Sequence, residues 1–486
     1  MIACANDSVR LMSKGESTGA IVWLRQDLRL RDNPALQAAA THGGPIIPVY
    51  ILCDAEEQEF PPGGASRWWL HRSLSALDAE LRSRGSQLSL LRGPALDCLR
   101  AAVARTGARA VFWNRRYEPA SVARDLEVKK ELRADGLVVE SYNGALLREP
   151  WAIQNGSGQP YRVYTPFKRR ALEKLDPPAP LRAPSRWLAP PAWPDSVTLD
   201  ELRLLPEIQW YDTMDETWGP GEAGAHARLR AFASKPLASY AKTRDRPDCD
   251  GTSALSPYLH FGEISARQVW HALAAKGAKV ADSTFAAELI WREFAHHLIY
   301  HFPHTVLEPL DRRFERFAWS RDTAHLQAWQ RGHTGIPIVD AGMRQLWATG
   351  WMHNRVRMIV ASFLVKNLRI HWLEGARWFW DTLVDADLAN NTLNWQWVAG
   401  SGADAAPYFR IFNPLTQSTK FDPDGEYVRR WVPELARLEV PHIHAPHAAP
   451  AAALHAGGVH IGSTYPAPIV DLAESRRAAL AAYHSL

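Results

Sequence analysis

Charged and aromatic side chains share a short apolar segment, Glu288-Leu289-Ile290-Trp291-Arg292. On a helix, Glu288, Trp291 and Arg292 are spaced by three and four residues and therefore lie on one face. A carboxylate, an indole and a guanidinium on one face can hydrogen-bond, stack and bind phosphate. A surface ion pair beside a core tryptophan gives the same pattern, so this segment alone does not decide a function.

Two further polar clusters follow it along the chain. Residues 350–358 read Gly-Trp-Met-His-Asn-Arg-Val-Arg-Met, and residues 385–391 read Asp-Ala-Asp-Leu-Ala-Asn-Asn. The acids and amides of the second cluster can hold a ribose, a charged ring edge or a metal. A solvated helix face and a capped turn are the plain structural alternatives for the two clusters.

Small hydroxyl residues precede a proline at residues 251–256, which read Gly-Thr-Ser-Ala-Leu-Ser before Pro257. Proline in the first turn predicts a helix start, where backbone N–H groups and hydroxyls can bind a phosphate. An ordinary helix cap explains the same residues. More than half of the 21 tryptophans lie between Trp270 and Trp431. Core packing accounts for most tryptophans, yet this concentration indicates aromatic chemistry, stacking or electron transfer in the second half.

The elements that position these clusters fall into two regions. Short apolar runs alternate with helical periodicity in the first region, which predicts a parallel sheet with right-handed crossovers. The fold class is therefore α/β, with an N-terminal doubly wound parallel-sheet domain at residues 20–145 after a flexible N-terminus at residues 1–19. The predicted strands are residues 20–24, 46–52, 88–91, 110–113 and 138–142. The predicted helices between them are residues 65–84 and 95–106.

The second region is predicted to be a larger all-α domain. Residues 146–215 contain many prolines and are predicted to form an interdomain linker, because proline breaks helices and removes hydrogen-bond donors. Long helical periods dominate residues 216–486, with 285–300 and 339–369 as the best examples. Two domains also agree with the length of 486 residues.

Bulk composition limits the compartment and the partners. The net charge of +4 is compatible with binding to nucleic acid but does not demonstrate it. The four cysteines lack metal or disulfide spacing, residues 1–19 do not read as a signal peptide, and no run is long and apolar enough to span a membrane. We therefore expect a cytoplasmic protein that does not contact membranes.

Several common sites are not predicted. The first strand is followed by residues 25–29, Arg-Gln-Asp-Leu-Arg, rather than by a glycine-rich dinucleotide loop or a Walker loop. Neither a zinc-protease motif nor a hydrolase nucleophile elbow occurs. His442, His444 and His447 can bind a metal, but the segment 442–458 is predicted to be irregular and lacks a rigid element. No metal is therefore expected.

The order of these motifs resembles the photolyase/cryptochrome family. It comprises residues 251–256, Glu-Leu-Ile-Trp-Arg-Glu-Phe at 288–294, the cluster at 350–358, Asp-Ala-Asp-Leu at 385–388, Trp-Gln-Trp at 395–397 and Tyr-Phe-Arg-Ile-Phe-Asn-Pro at 408–414. Residues 24–33 resemble the opening strand and loop of the family. The sequence is most similar to bacterial photolyases for cyclobutane pyrimidine dimers, which implies a monomeric enzyme that repairs damaged DNA.

The resemblance implies that the helical domain binds FAD in a folded form. Reduced FAD, once excited by light, would give an electron to the dimer and recover it after the ring opens. Asn391 corresponds to the position facing flavin N5, where an amide suits the reduced flavin and plant cryptochromes typically place aspartate. The implied cofactor-binding residues are Tyr240, Thr252, Ser253, Ala254, Leu255, Ser256, Glu288, Arg292, Asn354, Arg357, Asp385, Asp387 and Asn391.

The resemblance also implies a site for a dimer flipped out of the duplex. Trp291 and Trp397 would supply stacking faces and Met358 an apolar contact, Glu288 and Asn354 would hydrogen-bond the dimer, and Arg244, Arg355 and Arg410 would hold flanking phosphates. Glu288 and Asn391 are the implied catalytic residues, together with Trp395, Trp372 and Trp319 as a chain that photoreduces oxidised flavin.

An antenna chromophore and the subclass stay open. Residues 114–118, Asn-Arg-Arg-Tyr-Glu, resemble a segment that can line an antenna site; methenyltetrahydrofolate is the first choice, and a deazaflavin or no antenna are the alternatives. Residues 390–394, Asn-Asn-Thr-Leu-Asn, differ from well-known bacterial members and resemble a branch closer to plant cryptochromes. A cryptochrome-type light receptor and a photolyase for the (6-4) product are the alternative functions.

Overall fold

The computed structural model describes residues 19–173, 175–234, 236–275, 280–405 and 409–486. The predicted flexible N-terminus therefore lies outside the described residues except for Gly19, as does Tyr408 of the last motif.

Five parallel strands form the centre of the N-terminal domain: β1 (Ala20–Leu24), β2 (Ile46–Leu52), β3 (Ser89–Arg92), β4 (Ala110–Asn114) and β5 (Val138–Tyr142). Their order is β3-β2-β1-β4-β5. The inner strands are apolar at almost every position because helices cover both faces of the sheet. Those helices are α1 (Pro34–His42), α2 (Gly64–Ser83), α3 (Ala95–Thr106) and α4 (Pro119–Ala134). The predicted doubly wound sheet is confirmed.

Within its described residues, the proline-rich segment contains one helix of ordinary length, α5 (Tyr164–Leu172). Phe167 and Ala171 of this helix are buried in an apolar cluster that also contains Phe294 and Leu298. The segment predicted as a linker therefore also supplies packing surface to the helical domain.

Helices make up most of the remaining chain, and they are α6 (Asp212–Thr217), α7 (Glu222–Ser234), α8 (Pro236–Thr243), α9 (Ser256–His260), α10 (Ala266–Ala274), α11 (Thr284–His301), α12 (Thr323–Gln330), α13 (Pro337–Thr349), α14 (Asn354–Ser362), α15 (Trp372–Thr382), α16 (Leu388–Ala399), α17 (Pro414–Phe421), α18 (Glu426–Trp431), α19 (Ala451–Gly457) and α20 (Leu472–His484). None of the helices in these described ranges combines the length and apolar character needed to cross a membrane.

The predicted continuous helical stretch at 339–369 is wrong in one respect, because it is broken between α13 and α14. Gly350 ends α13 with a φ of 65°, and a Cβ at this position would lie 2.6 Å from a methyl group of Val384. His353 then begins α14 by accepting the backbone N–H of Arg355 at its Nδ1, 3.2 Å away. The two helices still pack against each other, since a Cβ at Gly342 of α13 would lie 2.5 Å from a methyl group of Val356 on α14.

The segment at 442–458 is also more regular than its composition predicts. Residues 451–457 form α19, and His444 is buried with its Nδ1 2.8 Å from the Oγ of Ser418. His444 is therefore part of the packed interior.

Buried polar groups join the two domains. Arg29 is fully buried and donates to the carbonyl oxygens of Asp32, Gly144 and Gly262. Glu263 is also fully buried and accepts the indole N–H of Trp69 and the backbone N–H of Gly221. Burial of such groups is tolerated because each has hydrogen-bonding partners.

Candidate active site

Asp385 brings three distant segments of the helical domain together. The guanidinium of Arg357 on α14 lies 2.8 Å from Oδ2 of Asp385, and the hydroxyl of Ser256 donates to the same oxygen at 2.5 Å. The other oxygen, Oδ1, is buried and has no hydrogen-bonding partner among the described residues. An unpartnered buried carboxylate oxygen is costly, so it indicates a site for the N–H or O–H group of a ligand.

Asp387 lies at the start of α16 and caps that helix. Its side chain accepts the backbone N–H of Asn390 at 2.8 Å, and the rings of His260 and His296 lie 3.7 and 3.6 Å from its carboxylate. Burial raises the pKa of Asp387, but His296, His260 and Arg292 outweigh burial and lower it. Asp387 is therefore held in its ionised form, two residues after Asp385.

Asn391 is oriented by a backbone carbonyl of α15. Its Nδ2 donates to the oxygen of Ala376 at 3.0 Å. Only the NH₂ end of an amide can donate to a carbonyl, so Oδ1 is the end that faces away. Within the part of the chain that the structure describes, no donor is recorded for that oxygen. Asn391 can thus accept a hydrogen bond from a ligand N–H.

The loop at residues 251–256 is shaped to present donors. Ala254 has a φ of 47°, which places it in the left-handed region that recurs in anion-binding nests. Arg228 holds the opposite side, since its Nε donates to the carbonyl of Ser253 at 2.8 Å. Gly251 approaches Thr243 so closely that a Cβ would lie 2.7 Å from its carbonyl oxygen. The loop can therefore bind phosphate, and Arg228 is a residue that the sequence did not reveal.

Aromatic residues form one side of this site. Tyr240 on α8 is buried against Phe285, with ring centroids 5.3 Å apart, and Phe285 also contacts Phe232 at 4.8 Å. Arg292 on α11 donates to the carbonyl of Ala145 at 3.0 Å and so also contacts the N-terminal domain.

A second set of side chains, called the outer group below, comprises the predicted DNA-binding residues Arg244, Glu288, Trp291, Asn354, Arg355, Met358, Trp397 and Arg410. Glu288 is paired with Arg244, and 31% of its side chain is exposed. Burial raises the pKa of Glu288 against the attraction of Arg244. Arg355 pairs with Asp245 at 2.9 Å and lies over the ring of Phe421, with 4.4 Å between the guanidinium carbon and the ring centre.

The two predicted stacking tryptophans have different surroundings. Trp291 lies parallel to Tyr164, with ring centroids 3.5 Å apart and an angle of 6° between the planes. One face of Trp291 is therefore covered by the first residue of α5. Trp397 donates its indole N–H to the carbonyl of Asp404 at 3.1 Å, and Arg410 lies over its ring. Asn354 is exposed, and Met358 one turn later is half-buried.

The similarity to known proteins decides the family. Residues 20–185 match the family model for DNA photolyase, and residues 285–485 match the model for the FAD binding domain of DNA photolyase. This chain belongs to the DNA photolyase family. It is 53% identical over 468 residues to the deoxyribodipyrimidine photo-lyase of Agrobacterium fabrum, covering 95% of this chain and 97% of that protein. It is also 42% identical to cryptochrome-2 of Arabidopsis thaliana, over 94% of this chain and 77% of the relative.

Solved structures agree with this membership. The bacterial class III photolyase from Agrobacterium tumefaciens superimposes with a TM-score of 0.93 at 52% identity, covering 97% of this chain and 98% of that one. The cryptochrome of Synechocystis gives a TM-score of 0.88 at 29% identity, covering 96% and 100%. The predicted family, fold class and FAD cofactor are confirmed.

The residues of this photolyase fit FAD. Asp385 offers a buried acceptor that lacks a partner, Asn391 offers a second one, and the loop at 251–256 offers donors to a phosphate. Arg357 holds Asp385 in place and is itself bound to the carbonyl of Met352 at 2.7 Å. The individual roles of these residues stay predictions.

The three tryptophans of the predicted electron chain do not form an uninterrupted stack. Trp395 and Trp372 are buried in one apolar cluster against which Trp319 packs. Trp395 fills the space above Gly375, where a Cβ would lie 2.1 Å from its ring. Trp319 contacts His371, whose ring in turn contacts Trp372.

Sequence reasoning missed three residues of this region. Arg228 and Tyr164 lie far from the motifs along the chain, and only the fold brings them to the site. His371 directly precedes Trp372, and a histidine before a helix is the signal that could have identified it as a cap.

Proposed function

We propose that this photolyase repairs cyclobutane pyrimidine dimers in DNA in a light-driven reaction. Asn391 is the observation that carries the proposal, because its free acceptor oxygen suits a reduced flavin with a protonated N5. The plant receptors of the family typically have aspartate there. Reduced FAD, when bound and excited by light, supplies one electron that opens the cyclobutane ring and returns afterwards.

The phosphates and sugar of FAD have a defined set of partners in this proposal. The loop at 251–256 binds the phosphates through its N–H groups and hydroxyls, and Tyr240 packs beside it. Asp385, Asp387, Arg357 and Arg292 bind the polar edges of the ring system and the ribose. Two of these four residues are already ion-paired to each other, which fixes their geometry before the cofactor binds.

The outer group of side chains binds the lesion. A dimer leaves the duplex more easily than a normal base pair because it is poorly paired and stacked. Trp397 and the face of Trp291 opposite Tyr164 stack on it, Met358 adds an apolar contact, and Asn354 and Glu288 hydrogen-bond it. Tyr164 supports this role, because it fixes the ring plane of Trp291 from behind.

Three arginines hold the DNA phosphates on either side of the lesion. Arg244, Arg355 and Arg410 are half-buried or exposed, and each lies over an aromatic ring that restricts its motion. Guanidinium groups restricted in this way lose less entropy on binding a phosphate. Because DNA is the proposed substrate, the cytoplasm is the proposed compartment. The proposed state is a monomer.

A chain of tryptophans reduces oxidised flavin under light. Trp395, Trp372 and Trp319 run from the interior to the surface in this proposal. Burial supports Trp319 as the outermost member, because it is half-buried whereas Trp395 and Trp372 are 2% and 1% exposed. Only the outermost member can then exchange an electron with solutes.

A second chromophore has a suitable cleft between the domains. The cleft lies at the carboxyl ends of β1 and β2, the usual ligand position in such sheets. Aromatic residues and three arginines line it, including Trp23, Tyr50, Trp380, Arg25, Arg116 and Arg124. Arg116 belongs to the segment that predicts an antenna site. Methenyltetrahydrofolate is the proposed antenna and a deazaflavin the alternative, and the absorption spectrum of the purified protein distinguishes them.

Blue light and dimer-containing DNA test the function directly. The reduced holoenzyme should restore thymines under blue light, and a matched sample in the dark should not. If thymines are recovered in neither sample, repair is rejected and the cryptochrome-type light receptor becomes the favoured function. If only DNA with (6-4) products is repaired, the result supports a (6-4) photolyase. The buried His353 is used as a helix cap and has no second histidine within its recorded contacts among the described residues, which does not favour the (6-4) reaction.

A further inference from the structure

One imidazole lies between the two outer tryptophans of the proposed chain. The ring of His371 is 5.0 Å from the ring of Trp319 in an edge-to-face arrangement, with 71° between the planes. It is 5.7 Å from the ring of Trp372, at 31°. Among the described residues, no direct ring contact is recorded between Trp319 and Trp372 themselves.

The remaining ring contact of Trp319 does not connect it to Trp372. Trp319 also contacts Phe317 at 4.4 Å, and Phe317 continues to Phe314 and Phe409. Among the described residues these rings continue to Tyr483 and have no recorded ring contact with Trp372, so that branch does not connect the two tryptophans. In the described part of the chain, His371 is the ring that contacts both tryptophans.

The backbone holds His371 in this place. Its Nδ1 accepts the N–H of Leu373 at 3.2 Å and so caps the start of α15. The same bond requires a lone pair on Nδ1, so the capping ring is neutral and carries its proton on Nε2. Burial and Arg377 lower the pKa of His371 to about 4, which keeps the ring neutral in the same way.

We infer that His371 is the bridging group through which an electron passes from Trp319 to Trp372 during flavin photoreduction. The inference rests on the tryptophan chain proposed above. A neutral, electron-rich ring in contact with both indoles shortens the through-space gaps, because electron transfer weakens steeply as the gap between the groups widens. It also adds no positive charge next to a tryptophan that has just lost an electron.

The electron balance is simple. Trp372 is oxidised when it passes an electron inward to Trp395, and Trp319 then reduces it across His371. Trp319 is left oxidised at the surface, where an external thiol reductant restores it. His371 is not oxidised in this sequence, and no bond forms or breaks on it.

Two substitutions distinguish the proposed role of His371 in electron transfer from its role as the N-cap of α15. Asparagine is a good N-cap but has no ring, so His371→Asn keeps α15 capped and removes the bridge. Phenylalanine has a ring but cannot cap, so His371→Phe keeps an aromatic group and removes the acceptor. The melting temperature of each variant reports the cap, and the repair of dimers by chemically pre-reduced enzyme serves as the reference for an intact site.

Photoreduction of the oxidised holoenzyme gives the deciding result. A bridge predicts that His371→Asn loses most of the reduced flavin formed per absorbed photon at an unchanged melting temperature, whereas His371→Phe retains more of it at a lower one. Equal photoreduction in His371→Asn and the unsubstituted protein overturns the inference. If His371→Phe does not fold, the asparagine variant decides alone.

Two further measurements separate this inference from the chain itself. If Trp395→Phe abolishes photoreduction while His371→Asn does not change it, the chain stands and the bridge is overturned. In the oxidised holoenzyme kept in the dark, the indole N–H resonance of Trp319 should shift with a midpoint near pH 4 as His371 titrates, and the shift should be absent in His371→Asn. A pH-independent resonance in the unsubstituted protein contradicts the contact.

Discussion

The guanidinium of Arg357 lies 2.8 Å from the carboxylate of Asp385, and this pair connects α14 to the turn before α16. The two residues are 28 positions apart. The same carboxylate oxygen accepts the hydroxyl of Ser256, whereas the other oxygen stays buried and unpartnered. A carboxylate held at one oxygen and open at the other is prepared for a ligand, because its orientation is already fixed.

Asp385→Asn tests this preparation. The amide keeps the shape of the side chain but replaces a charged acceptor with a neutral one, and a hydrogen bond to a charged group contributes about 1.5–3 kcal/mol. We therefore expect the affinity for FAD to fall by at least about tenfold, since about 1.4 kcal/mol is tenfold in affinity. Titration of the flavin-free protein with FAD, followed by flavin fluorescence, measures this. Asp215→Asn makes the same change in the exposed pair with Arg72 and should leave FAD binding unaltered.

Trp395→Phe tests the inner end of the electron chain. Phenylalanine keeps the packing above Gly375 but is not oxidised, so blue light should no longer reduce oxidised flavin. Repair should persist when the flavin is reduced chemically beforehand. The absorption spectrum under illumination gives the first result and dimer counting gives the second. Persistent photoreduction in this variant would mean that the electrons take another route.

Buried Glu263 makes the stability of the molecule depend on pH. Burial raises the pKa of Glu263 to about 8, against the opposing hydrogen bonds from Gly221 and Trp69. The folded state therefore keeps a proton that the unfolded chain releases near its ordinary pKa of 4.5. Stability is highest below that value and declines as the pH rises toward 8, by up to about 1.4 kcal/mol per pH unit.

Glu263→Gln checks this assignment. Glutamine retains an acceptor for Trp69 and Gly221 but does not ionise, so its melting temperature should vary less between pH 5 and pH 8 than that of the unsubstituted protein. Glu293, which burial gives a pKa of about 7, contributes a decline of the same sign and stays in both proteins. An identical pH profile for both proteins would contradict the role given to Glu263.

The sequence predicted the architecture well where burial dictates the pattern. β1, β2 and β5 were predicted to the residue, because strands covered on both faces or flanked by clear turns leave an unambiguous apolar run. The break at Gly350 was missed, since the helical period resumes at Asn354 with a similar apolar spacing. A glycine within a helical pattern is compatible with both outcomes.

The sequence identified which residues belong to the site but did not predict which of them contact each other. The order of the motifs identified Arg357 and Asp385, yet nothing in their spacing indicates that they pair. Tyr164 escaped notice because it belongs to a segment dominated by prolines, and its stacking on Trp291 depends on how α5 packs against α11. Contacts between residues far apart in the chain arise from packing, which local patterns do not encode.

Glu288→Gln tests the carboxylate beside the proposed lesion. Glu288 is half-buried and paired with Arg244, and burial raises its pKa, so it holds a proton or a charge close to where an electron would arrive. The amide can still donate a hydrogen bond but cannot transfer a proton, and it leaves Arg244 without its partner. We therefore expect fewer dimers repaired per absorbed photon, severalfold below the unsubstituted enzyme after normalising for flavin content. Dimer counting at saturating DNA measures this yield. An unchanged yield would reduce Glu288 to an ion-pair partner that holds Arg244 in place.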